Sequence, residues 1–486
     1  MGLKTREEYL TALRKLRPNI YKFGELIEDV TTHPATKRTV ESHCRSFDAS
    51  HDPDWSDLYT TTSIFTGKKI HRWNAMMQSS DDLICNMKVK RQNYRRTGTC
   101  SGAVCVGWNA QNTLWAVTQE IDAEFGTHYN DRLKNWILRA QEEGLTSAGA
   151  LTDAKGDRSL KPSQQADPDV IVRIKEIKED GIIIQGAKLM ICGTAASQEI
   201  FLLPGGVYKE EDSEYALACV VPRDIEGLTI IEATRPSDRR DLEDTADYEV
   251  PKTGITQGLL LFEDVFVPNE RVFMCGEHKF TANFIRYFTS NYRACIGACV
   301  AGQGDVMVGA SVLTARANGL SAKTFSNKLV EMSINNQVTY GLGVGACALG
   351  SQHPSGSFIA DSITAHTNKV MVATLPYETK RLTQEIGGGI VETGCMPSYQ
   401  DFTSPQYGDL LQKYYKAGSA SAETRFKSAR LSEWLTIGGG VPGCMHGGGS
   451  PDGAKLMVRF GTPFEEYAEY AKTIMGIDEE VPEPKK

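Results

Sequence analysis

The sequence has 486 residues, of which 41% are hydrophobic and 23% are charged, and its formal net charge is −8. This composition is typical of a globular chain that forms one large domain or two to three coupled ones. No basic cluster accompanies the acidic balance, so we expect no nucleic-acid partner. The longest apolar run is shorter than the ~18 residues of a membrane span, and the charged start MGLKTREEYL lacks the apolar core of an export signal. We therefore expect a cytoplasmic protein without membrane contact.

Helical patterns dominate the first 145 residues. Apolar residues recur at helical spacing over 5–30, and the segment 112–126 predicts a helix that Gly126 ends. A further helix is predicted over 132–143. No alternating run rich in Val, Ile and Thr occurs before residue 145 in the sequence, so we predict an N-terminal helical domain over 1–145.

After residue 145 the sequence pattern changes from helical to short runs of residues that favour β-strands. DPDVIVRIKEIKEDGIIIQGAKLMI (167–191) indicates a hairpin around Glu-Asp-Gly. Further strands are predicted over 199–204, 215–222, 228–234 and 258–268. Helical patterning returns near 278 and continues almost to the end, interrupted by Gly-rich loops. This order predicts an α+β fold with a central antiparallel β domain over 146–277 and a C-terminal helical domain over 278–486.

Several loops offer groups that a ligand could use. TDAKGDRSL (152–160) is dense in charged and turn-forming residues, and MICGT (190–194) is built of residues that permit close approach of a ring or a phosphate. On composition alone, the first segment is better interpreted as a solvated loop and the second as a tight turn. The glycine triplets at 387–389, 438–440 and 447–449 lack the GxGxxG pattern, so they could equally be flexible helix ends.

Twelve cysteines occur, and without an export signal they are expected to be thiols, ligands or redox residues. Cys295 and Cys299 are one helical turn apart and would share a helix face. Cys100 and Cys105 would lie about 140° apart on a regular helix, so they converge only if the helix is absent or carries a π-bulge. Spacing alone leaves both a metal cluster and buried structural thiols open.

Several strings, in order along 7–475, resemble the 4-hydroxyphenylacetate 3-hydroxylase flavoprotein family, and in particular its 4-hydroxybutyryl-CoA dehydratase group. These strings are YKFGELIEDV (21–30), CVGWNAQN (105–112), TDAKGDRSL (152–160), FEDVFVPNERVF (262–273), AGQGDVMVGA (301–310) and MHGGGSP (445–451). The resemblance implies an acyl-CoA dehydrogenase-like fold, a homotetramer and FAD. The residues that it assigns to the flavin are Thr152, Asp153, Lys155, Gly156, Asp157, Arg158, Ser159, Cys192, Gly193, Thr194, Gly387, Gly388 and Gly389.

The resemblance also raises the question of an iron–sulfur cluster, because the dehydratase group holds a [4Fe–4S] cluster with three cysteines and a histidine. Cys105 and Cys299 match two of those cysteines, Cys100 matches the third with one inserted residue, and Tyr292 stands at the histidine position. Two alternatives follow. Either Cys295 replaces the histidine and completes a set of four thiolates, or the cluster is lost and the enzyme uses flavin alone.

The proton-transfer residues of the dehydratase group are largely replaced in this sequence. Gln257 and Gly443 stand where the group has glutamates, which removes the obvious general bases. His446 of the MHG motif is the best remaining acid/base candidate, although it could instead be a structural residue of its loop. Tyr292 and Gln257 are the other catalytic candidates.

The resemblance implies a flavin-dependent lyase, isomerase or oxidoreductase. Its substrate would be an acyl-CoA or a related carboxylate, and the reaction a dehydration, a double-bond isomerisation or a dehydrogenation. One alternative is a monooxygenase that hydroxylates a phenol with reduced flavin and O₂. A third interpretation is a structural paralogue with reduced catalytic function, against which the intact TDAKGDRSL and MHGGGSP strings argue.

Overall fold

The structure of the chain is a computed structural model. It describes residues 3–100, 103–233, 253–254, 256–418, 420–437 and 447–482. The helices in the N-terminal part are α1 (Arg6–Arg14), α2 (Lys37–His51), α3 (Ser56–Tyr59), α4 (Ser80–Thr97), α5 (Ala103–Phe125) and α6 (Tyr129–Glu143). The helices in the C-terminal part are α7 (Thr281–Ala317), α8 (Ser326–Ala348), α9 (Ser362–Val372), α10 (Leu375–Gly387), α11 (Gly389–Glu392), α12 (Tyr399–Phe402), α13 (Gly408–Tyr415), α14 (Ala422–Thr436), α15 (Pro451–Gly461) and α16 (Phe464–Met475).

Fourteen strands accompany these helices in the described ranges. They are β1 (Ile20–Lys22), β2 (Glu25–Leu26), β3 (Thr60–Thr62), β4 (Lys69–His71), β5 (Ser147–Ala150), β6 (Arg173–Ile177), β7 (Gly181–Cys192), β8 (Glu199–Leu202), β9 (Leu217–Pro222), β10 (Leu228–Glu232), β11 (Gln257–Pro268), β12 (Val272–Cys275), β13 (Ser351–Gln352) and β14 (Phe358–Ile359).

The helix predicted over 5–30 is shorter than expected. Thr5 caps α1 through a reciprocal hydrogen-bond pair with Glu8, and the helix ends at Arg14. Pro18 follows, and a proline cannot continue a helix and disfavours helical backbone at the residue before it. The chain beyond it forms β1, in which Ile20 is buried while Tyr21 is exposed. The apolar residues after Pro18 therefore belong to the sheet, and the prediction of a continuous helix was wrong there.

The predicted β-rich region forms two main sheets. One has the strand order β2-β1-β10-β11-β7-β6 and the other the order β12-β9-β8-β5. The predicted hairpin is present as β6 and β7, which pair antiparallel. Two pairings are parallel, β1 with β10 and β5 with β8, so the prediction of a purely antiparallel sheet was wrong. In both parallel pairs, the first strand lies in the N-terminal part or just after it, and its partner lies much later in the chain. Local sequence patterns do not reveal such a pairing.

Helix α7 is the central element of the C-terminal part. It packs against α4 from the N-terminal part and against α8, α9, α10 and α14. By length and composition the segment His278–Ala317 would be apolar enough to cross a membrane, but 67% of its most apolar window is buried inside the protein. Such a segment was not expected from the sequence, because small and polar residues interrupt its apolar ones.

One continuous hydrophobic core joins the three parts of the chain. It includes Trp108 of α5, Phe201 of β8 and Phe284 of α7, each almost completely buried. Helix α7 and the ends of β7 and β11 therefore approach each other across a dry interior. This arrangement positions the candidate site.

Candidate functional site

One face of α7 carries the polar and sulfur-containing residues that the sequence singled out. Tyr292, Cys295 and Cys299 follow one another at intervals of about one helical turn, and both cysteines are buried. The Tyr292 ring stacks on Phe288, with the ring centroids 5.7 Å apart. This face is turned toward α4, whose Lys90 places its Nζ 5.6 Å from the centroid of the Tyr292 ring.

Cys100 and Cys105 come together because the helix does not extend through both. Helix α5 begins at Ala103, so Cys100 precedes it and the helical spacing does not apply. The two thiols are hydrogen-bonded, and together with burial this contact raises the pKa of Cys105 well above its ordinary value. Cys105 is therefore a neutral thiol, and the predicted convergence of this pair needs no π-bulge.

Lys90 lies within electrostatic range of all four cysteines of the predicted cluster set. Burial lowers the pKa of Lys90, but Cys295, Cys105, Cys299 and Cys100 together shift it above the ordinary value. Lys90 as a whole is only 6% exposed. A buried cation therefore lies among these sulfurs.

Cys295 has a different partner from the other three cysteines. Its sulfur accepts a hydrogen bond from the Cys347 thiol of α8, and this bond and the Lys90 ammonium lower the pKa of Cys295 although burial opposes them. Within the part of the chain that the structure describes, no group of three or more His, Cys, Asp or Glu side chains is arranged to hold a metal ion. Among the described residues the cysteines of the predicted set are therefore not arranged as a metal-binding group, and the cluster stays a prediction.

The neighbouring ends of β7 and β11 form the second wall of the site. Gln257 Nε2 donates a hydrogen bond to Cys192 Sγ over 3.3 Å. Burial raises the pKa of Cys192 to about 12, and Cys100 contributes to the shift. Tyr292 lies within electrostatic range of Cys192, and burial raises the pKa of its phenol well above the ordinary value. Tyr292 and Gln257 therefore both lie near Cys192, and their catalytic role stays a prediction.

The turn after β7 carries unused hydrogen-bonding groups. Gly193 has a left-handed backbone with a φ of 69°, which suits a glycine, and it donates its N–H to the Thr256 carbonyl. The hydroxyls of Thr194 and Thr256 are buried and have no hydrogen-bond partner among the described residues. Buried polar atoms are normally satisfied, so these two hydroxyls are available to a polar ligand at this edge of the sheet.

The TDAKGDRSL loop is anchored by one of its own acidic residues. Asp153 is 6% exposed, and its Oδ1 accepts a hydrogen bond from Lys188 Nζ of β7 at 2.5 Å. Asp153 therefore fixes the loop to the sheet, whereas the resemblance assigned it to the flavin. Lys155 and Gly156 follow with positive φ angles of 77° and 53°.

The exposed part of this loop is held by short local contacts. Asp157 Oδ1 accepts hydrogen bonds from the Ser159 N–H and hydroxyl. The Asp157 N–H donates a hydrogen bond to Gln165 Oε1. A Cβ at Gly156 would come within 2.2 Å of the same oxygen. The Thr152 carbonyl accepts a hydrogen bond from the Leu189 N–H, while the Arg158 side chain is exposed. The loop is thus a rigid edge with its charged side chains on the outside.

The glycine runs lie in the C-terminal part of the chain. Gly387 ends α10, and Gly388, with a φ of 72°, joins it to α11, which begins at Gly389. Ideal Cβ atoms at Gly388 and Gly389 would meet open space. Gly448 lies directly on the Tyr292 ring, since a Cβ there would come within 2.9 Å of it. His446 lies outside the described residues, so its proposed role stays a prediction.

Two models of known protein families match this chain. The 4-hydroxyphenylacetate 3-hydroxylase N-terminal model matches residues 5–274, and the C-terminal model matches residues 281–476.

The chain belongs to the 4-hydroxyphenylacetate 3-hydroxylase family.

Two members of the family resemble this chain over nearly their full lengths. The 4-hydroxybutyryl-CoA dehydratase/vinylacetyl-CoA-Δ-isomerase of Clostridium aminobutyricum is 35% identical over 98% of this chain and 100% of its own. The solved structure of an oxygen-tolerant archaeal 4-hydroxybutyryl-CoA dehydratase from N. maritimus has a TM-score of 0.94 at 32% identity, covering 100% of this chain and 97% of that one. This family member is therefore an enzyme, and the interpretation as a non-catalytic paralogue is not supported.

More distant structures show the fold. The oxygenase component of 4-hydroxyphenylacetate 3-monooxygenase, complexed with FAD, superposes with a TM-score of 0.84 at 21% identity over 97% of this chain and 98% of that one. A glutaryl-coenzyme A dehydrogenase superposes with a TM-score of 0.50 at 14% identity over 80% of this chain and 81% of that one. The predicted mixed α and β fold with a helical C-terminal region is confirmed.

The two cofactors that the resemblance implied fit this site unequally. The unpartnered Thr194 and Thr256 hydroxyls and the rigid TDAKGDRSL loop suit a flavin with its polar ring edge and phosphates. A four-cysteine cluster fits poorly, because the described cysteines are not arranged as a metal-binding group and the Lys90 ammonium lies within electrostatic range of their sulfurs. We therefore derive no reaction step through a cluster.

Some residues of the site were missed by the sequence reasoning. Lys90, Lys188 and Cys347 are all buried, and each contacts a residue that the sequence did single out. A lysine is usually solvent-exposed and a cysteine usually a small apolar residue, so nothing local marks these three. Their roles follow from helix and strand packing across long sequence separations.

Proposed function

We propose that this chain is an FAD-dependent enzyme that acts on a CoA thioester or a related carboxylate. The reaction is a dehydration, a double-bond isomerisation or a dehydrogenation of the acyl chain. The observation that carries the proposal is the convergence of Tyr292 with the end of β7, where Thr194 in the turn after β7 and Thr256 just before β11 have buried hydroxyls without a partner among the described residues. Support also comes from the clostridial relative, whose name states a dehydratase and an isomerase of CoA esters.

The residues that would hold FAD lie along one edge of the sheet. They are the TDAKGDRSL loop, which the Asp153–Lys188 pair fixes, and the turn Cys192–Thr194. The glycines 388 and 389, which face open space, suit contact with a flavin that another subunit of a homotetramer binds. When bound, FAD supplies an acceptor of hydride or single electrons, which none of the side chains provides.

The side chains of the site serve mainly as donors of hydrogen bonds or protons. Burial keeps the Tyr292 phenol protonated, so it donates a hydrogen bond or a proton and does not act as a base at neutral pH. Gln257 is a neutral donor at a position where a carboxylate would be a base. Lys90 adds a buried positive charge near the phenol. Such an arrangement stabilises negative charge that develops on a thioester oxygen, as in an enolate.

The second candidate function is a flavin-dependent monooxygenase of the 4-hydroxyphenylacetate 3-hydroxylase type. It is favoured by the family models and by the fold shared with an oxygenase component complexed with FAD. Identity to that oxygenase is 21%, against 35% to the dehydratase/isomerase. The CoA-ester reaction is therefore the better supported of the two.

The [4Fe–4S] cluster on Cys100, Cys105, Cys295 and Cys299, the homotetramer and the cytoplasmic location stay predictions from the resemblance and the composition. The proposed reaction does not depend on them. Iron and sulfide analysis of anaerobically purified enzyme tests the cluster, and the solution mass tests the tetramer.

The experiment that tests the proposed function measures flavin and its response to CoA esters. The enzyme is purified without added flavin, and its absorbance spectrum is recorded before and after addition of vinylacetyl-CoA under anaerobic conditions. We expect bound FAD whose spectrum changes on addition of the ester. A folded enzyme that contains no FAD and binds none would overturn both candidate functions. A flavin spectrum that responds to 4-hydroxyphenylacetate and not to the ester would favour the monooxygenase.

A further inference from the structure

Arg293 follows Tyr292 on α7, and the proposed reaction does not use it. The residue is only 6% exposed. Its Nε donates a hydrogen bond to the Gly448 carbonyl over 2.9 Å, and its Nη1 lies 2.9 Å from His366 Nδ1 of α9. No carboxylate pairs with this guanidinium among the described residues. Arginines are rarely buried without a carboxylate, so packing alone does not account for this residue.

His366 holds the guanidinium from α9. It is completely buried, and Ser362 Oγ lies 3.0 Å from its Nε2. An arginine can only donate, so Nδ1 of His366 accepts the hydrogen bond from Arg293 and Nε2 donates its proton to Ser362. Burial and, to a smaller extent, the Arg293 charge lower the pKa of His366 to about 4, which keeps the ring neutral at neutral pH. The guanidinium is therefore held by an acceptor whose own orientation is fixed within α9.

The backbone of Gly448 and Gly449 lies against both Arg293 and Tyr292. An ideal Cβ at Gly448 would come within 2.9 Å of the Tyr292 ring, and one at Gly449 within 2.8 Å of Arg293 Nη2. Both glycines have left-handed backbones, with φ angles of 73° and 94°, which residues with a side chain rarely adopt. The hydrogen bond from Arg293 to the Gly448 carbonyl thus holds the backbone that contacts the phenol ring.

The turn that contains these glycines leads directly into α15. Ser450 caps this helix by accepting a hydrogen bond from the Gly453 N–H. Helix α15 packs against α9, where a Cβ at Gly461 would come within 2.9 Å of Ile363 Cγ1. Helix α9 therefore supports both His366 and the turn, so the contacts around Arg293 form one connected unit.

We propose that Arg293 is a positioning residue for Tyr292. Its Nε holds the Gly448 carbonyl and His366 holds its Nη1, so the backbone at Gly448 and Gly449 lies against the Tyr292 ring and restricts where the phenol hydroxyl points. This inference rests on the proposed function, in which that hydroxyl donates to the substrate, because small displacements of a donor reduce the rate strongly. Arg293 acts through Tyr292 and does not contact the substrate.

A double-mutant cycle tests whether Arg293 acts through Tyr292. Arg293→Lys keeps the positive charge but cannot donate to Gly448 and His366 from one planar group. We expect kcat with vinylacetyl-CoA to fall about tenfold, while KM and the FAD content of the enzyme stay within about twofold. In the Tyr292→Phe background the same substitution should lower kcat by less than about twofold. Losses that multiply in the double variant would overturn the proposal.

Two replacements of His366 separate hydrogen bonding from packing. His366→Gln keeps an acceptor for Arg293 Nη1, whereas His366→Leu fills a similar volume without one. We expect the Gln variant to retain at least about half of the wild-type kcat and the Leu variant to lose about tenfold. Thr367→Val removes a hydroxyl that donates to the Ile363 carbonyl of its own helix, and it should leave kcat unchanged. Equal losses in the Gln and Leu variants would contradict the proposal.

A spectroscopic measurement makes the test independent of turnover. The enzyme is labelled with fluorotyrosine, and the fluorine NMR resonance of Tyr292 is assigned by its absence in Tyr292→Phe. We expect this resonance to move in Arg293→Lys and His366→Leu, either of which suffices if the other does not fold, and to stay in place in Thr367→Val. An unchanged resonance in a folded variant would overturn the positioning role. A resonance that moves in an enzyme without activity on CoA esters would support that role and contradict only the proposed function.

Discussion

Tyr292 lies on the α7 face of the candidate site, within electrostatic range of Cys192 at the end of β7, and the hydroxyl is the only polar group of its side chain. Its ring is held by Phe288 and by the backbone at Gly448, so removal of the hydroxyl should leave its position unchanged. We predict that Tyr292→Phe keeps the flavin content of the enzyme but lowers kcat about a hundredfold, the typical loss for a proton donor. Steady-state kinetics with the CoA ester and the absorbance ratio of flavin to protein check both parts.

A second tyrosine of α7 provides the matched control. The Tyr287 hydroxyl donates to Glu120 over 2.7 Å, at some distance along the helix from the thiols. Tyr287→Phe should change kcat less than threefold. A comparable loss in both variants would show that the effect of Tyr292 is structural.

Asp153 determines how the proposed flavin loop is attached to the sheet. Asp153→Asn would leave the Lys188 ammonium buried without its counter-charge. We predict a loss of about 3 kcal/mol or more in the free energy of unfolding, measured by urea denaturation, together with weaker flavin binding. Asp157→Asn in the same loop should have little effect on stability, because this carboxylate is exposed. The double variant Asp153→Asn/Lys188→Met should recover part of the lost stability, and a further decrease would argue against the ion pair.

Single residues show how far sequence reasoning reaches. Tyr292, Gln257 and Cys105 were singled out as site residues, and the structure brings Tyr292 near Cys105 and near Cys192, to which Gln257 donates. Their roles stay predictions. The geometry of Cys295 could not be predicted, since its contact with Cys347 depends on how two helices are rotated against each other. The helical spacing gave the correct face of α7 but not the partner of that thiol.

At the scale of elements, the crossing of α7 and α8 depends on glycine. The absence of a side chain at Gly297 allows the Thr339 carbonyl to approach the helix backbone. We predict that Gly297→Ala lowers the free energy of unfolding by about 1–3 kcal/mol, because the added methyl group overpacks the crossing. Gly341 of α8 has no atom within 4 Å of an added Cβ. Gly341→Ala should therefore leave the free energy of unfolding unchanged or raise it by up to about 1 kcal/mol, because alanine has the higher helix propensity.

Chemical denaturation of both variants, followed by circular dichroism, measures this difference. Equal stability of Gly297→Ala and Gly341→Ala would contradict the close approach of the two helices.

Elements with strong local patterns were predictable. The helix end at Gly126, the β6–β7 hairpin and the strands from β8 to β11 follow from periodicity and turn residues. Strand β1 was not predictable, because its three residues are too few to show a periodic pattern. They form a strand by pairing with β10, about 210 residues later in the chain. Long-range pairing, more than local propensity, therefore sets the limit of the prediction.

At the scale of the whole molecule, buried histidines make the fold sensitive to acid. Burial lowers the pKa of His43 from 6.5 to about 4 and that of His71 to about 3. Below pH 6.5 the unfolded chain binds protons that the folded chain does not, so the free energy of unfolding falls as pH decreases. We predict a loss of about 2 kcal/mol for each histidine between pH 6.5 and pH 5.

Urea denaturation at several pH values between 7 and 5 tests this loss. His43→Asn should make the pH dependence less steep, because one of the two buried imidazoles no longer titrates in the unfolded chain. A free energy of unfolding that stays constant over this range would contradict the buried, neutral state of both rings.

The central claim is that this enzyme performs proton-transfer chemistry on a CoA thioester beside FAD. The most direct measurement incubates the FAD-loaded enzyme anaerobically with vinylacetyl-CoA in D₂O and follows deuterium in the acyl chain by mass spectrometry. We predict enzyme-dependent incorporation of deuterium that Tyr292→Phe slows about a hundredfold, with or without formation of an isomerised product. No incorporation above the enzyme-free control, combined with O₂-dependent hydroxylation of 4-hydroxyphenylacetate by the reduced enzyme, would contradict the account.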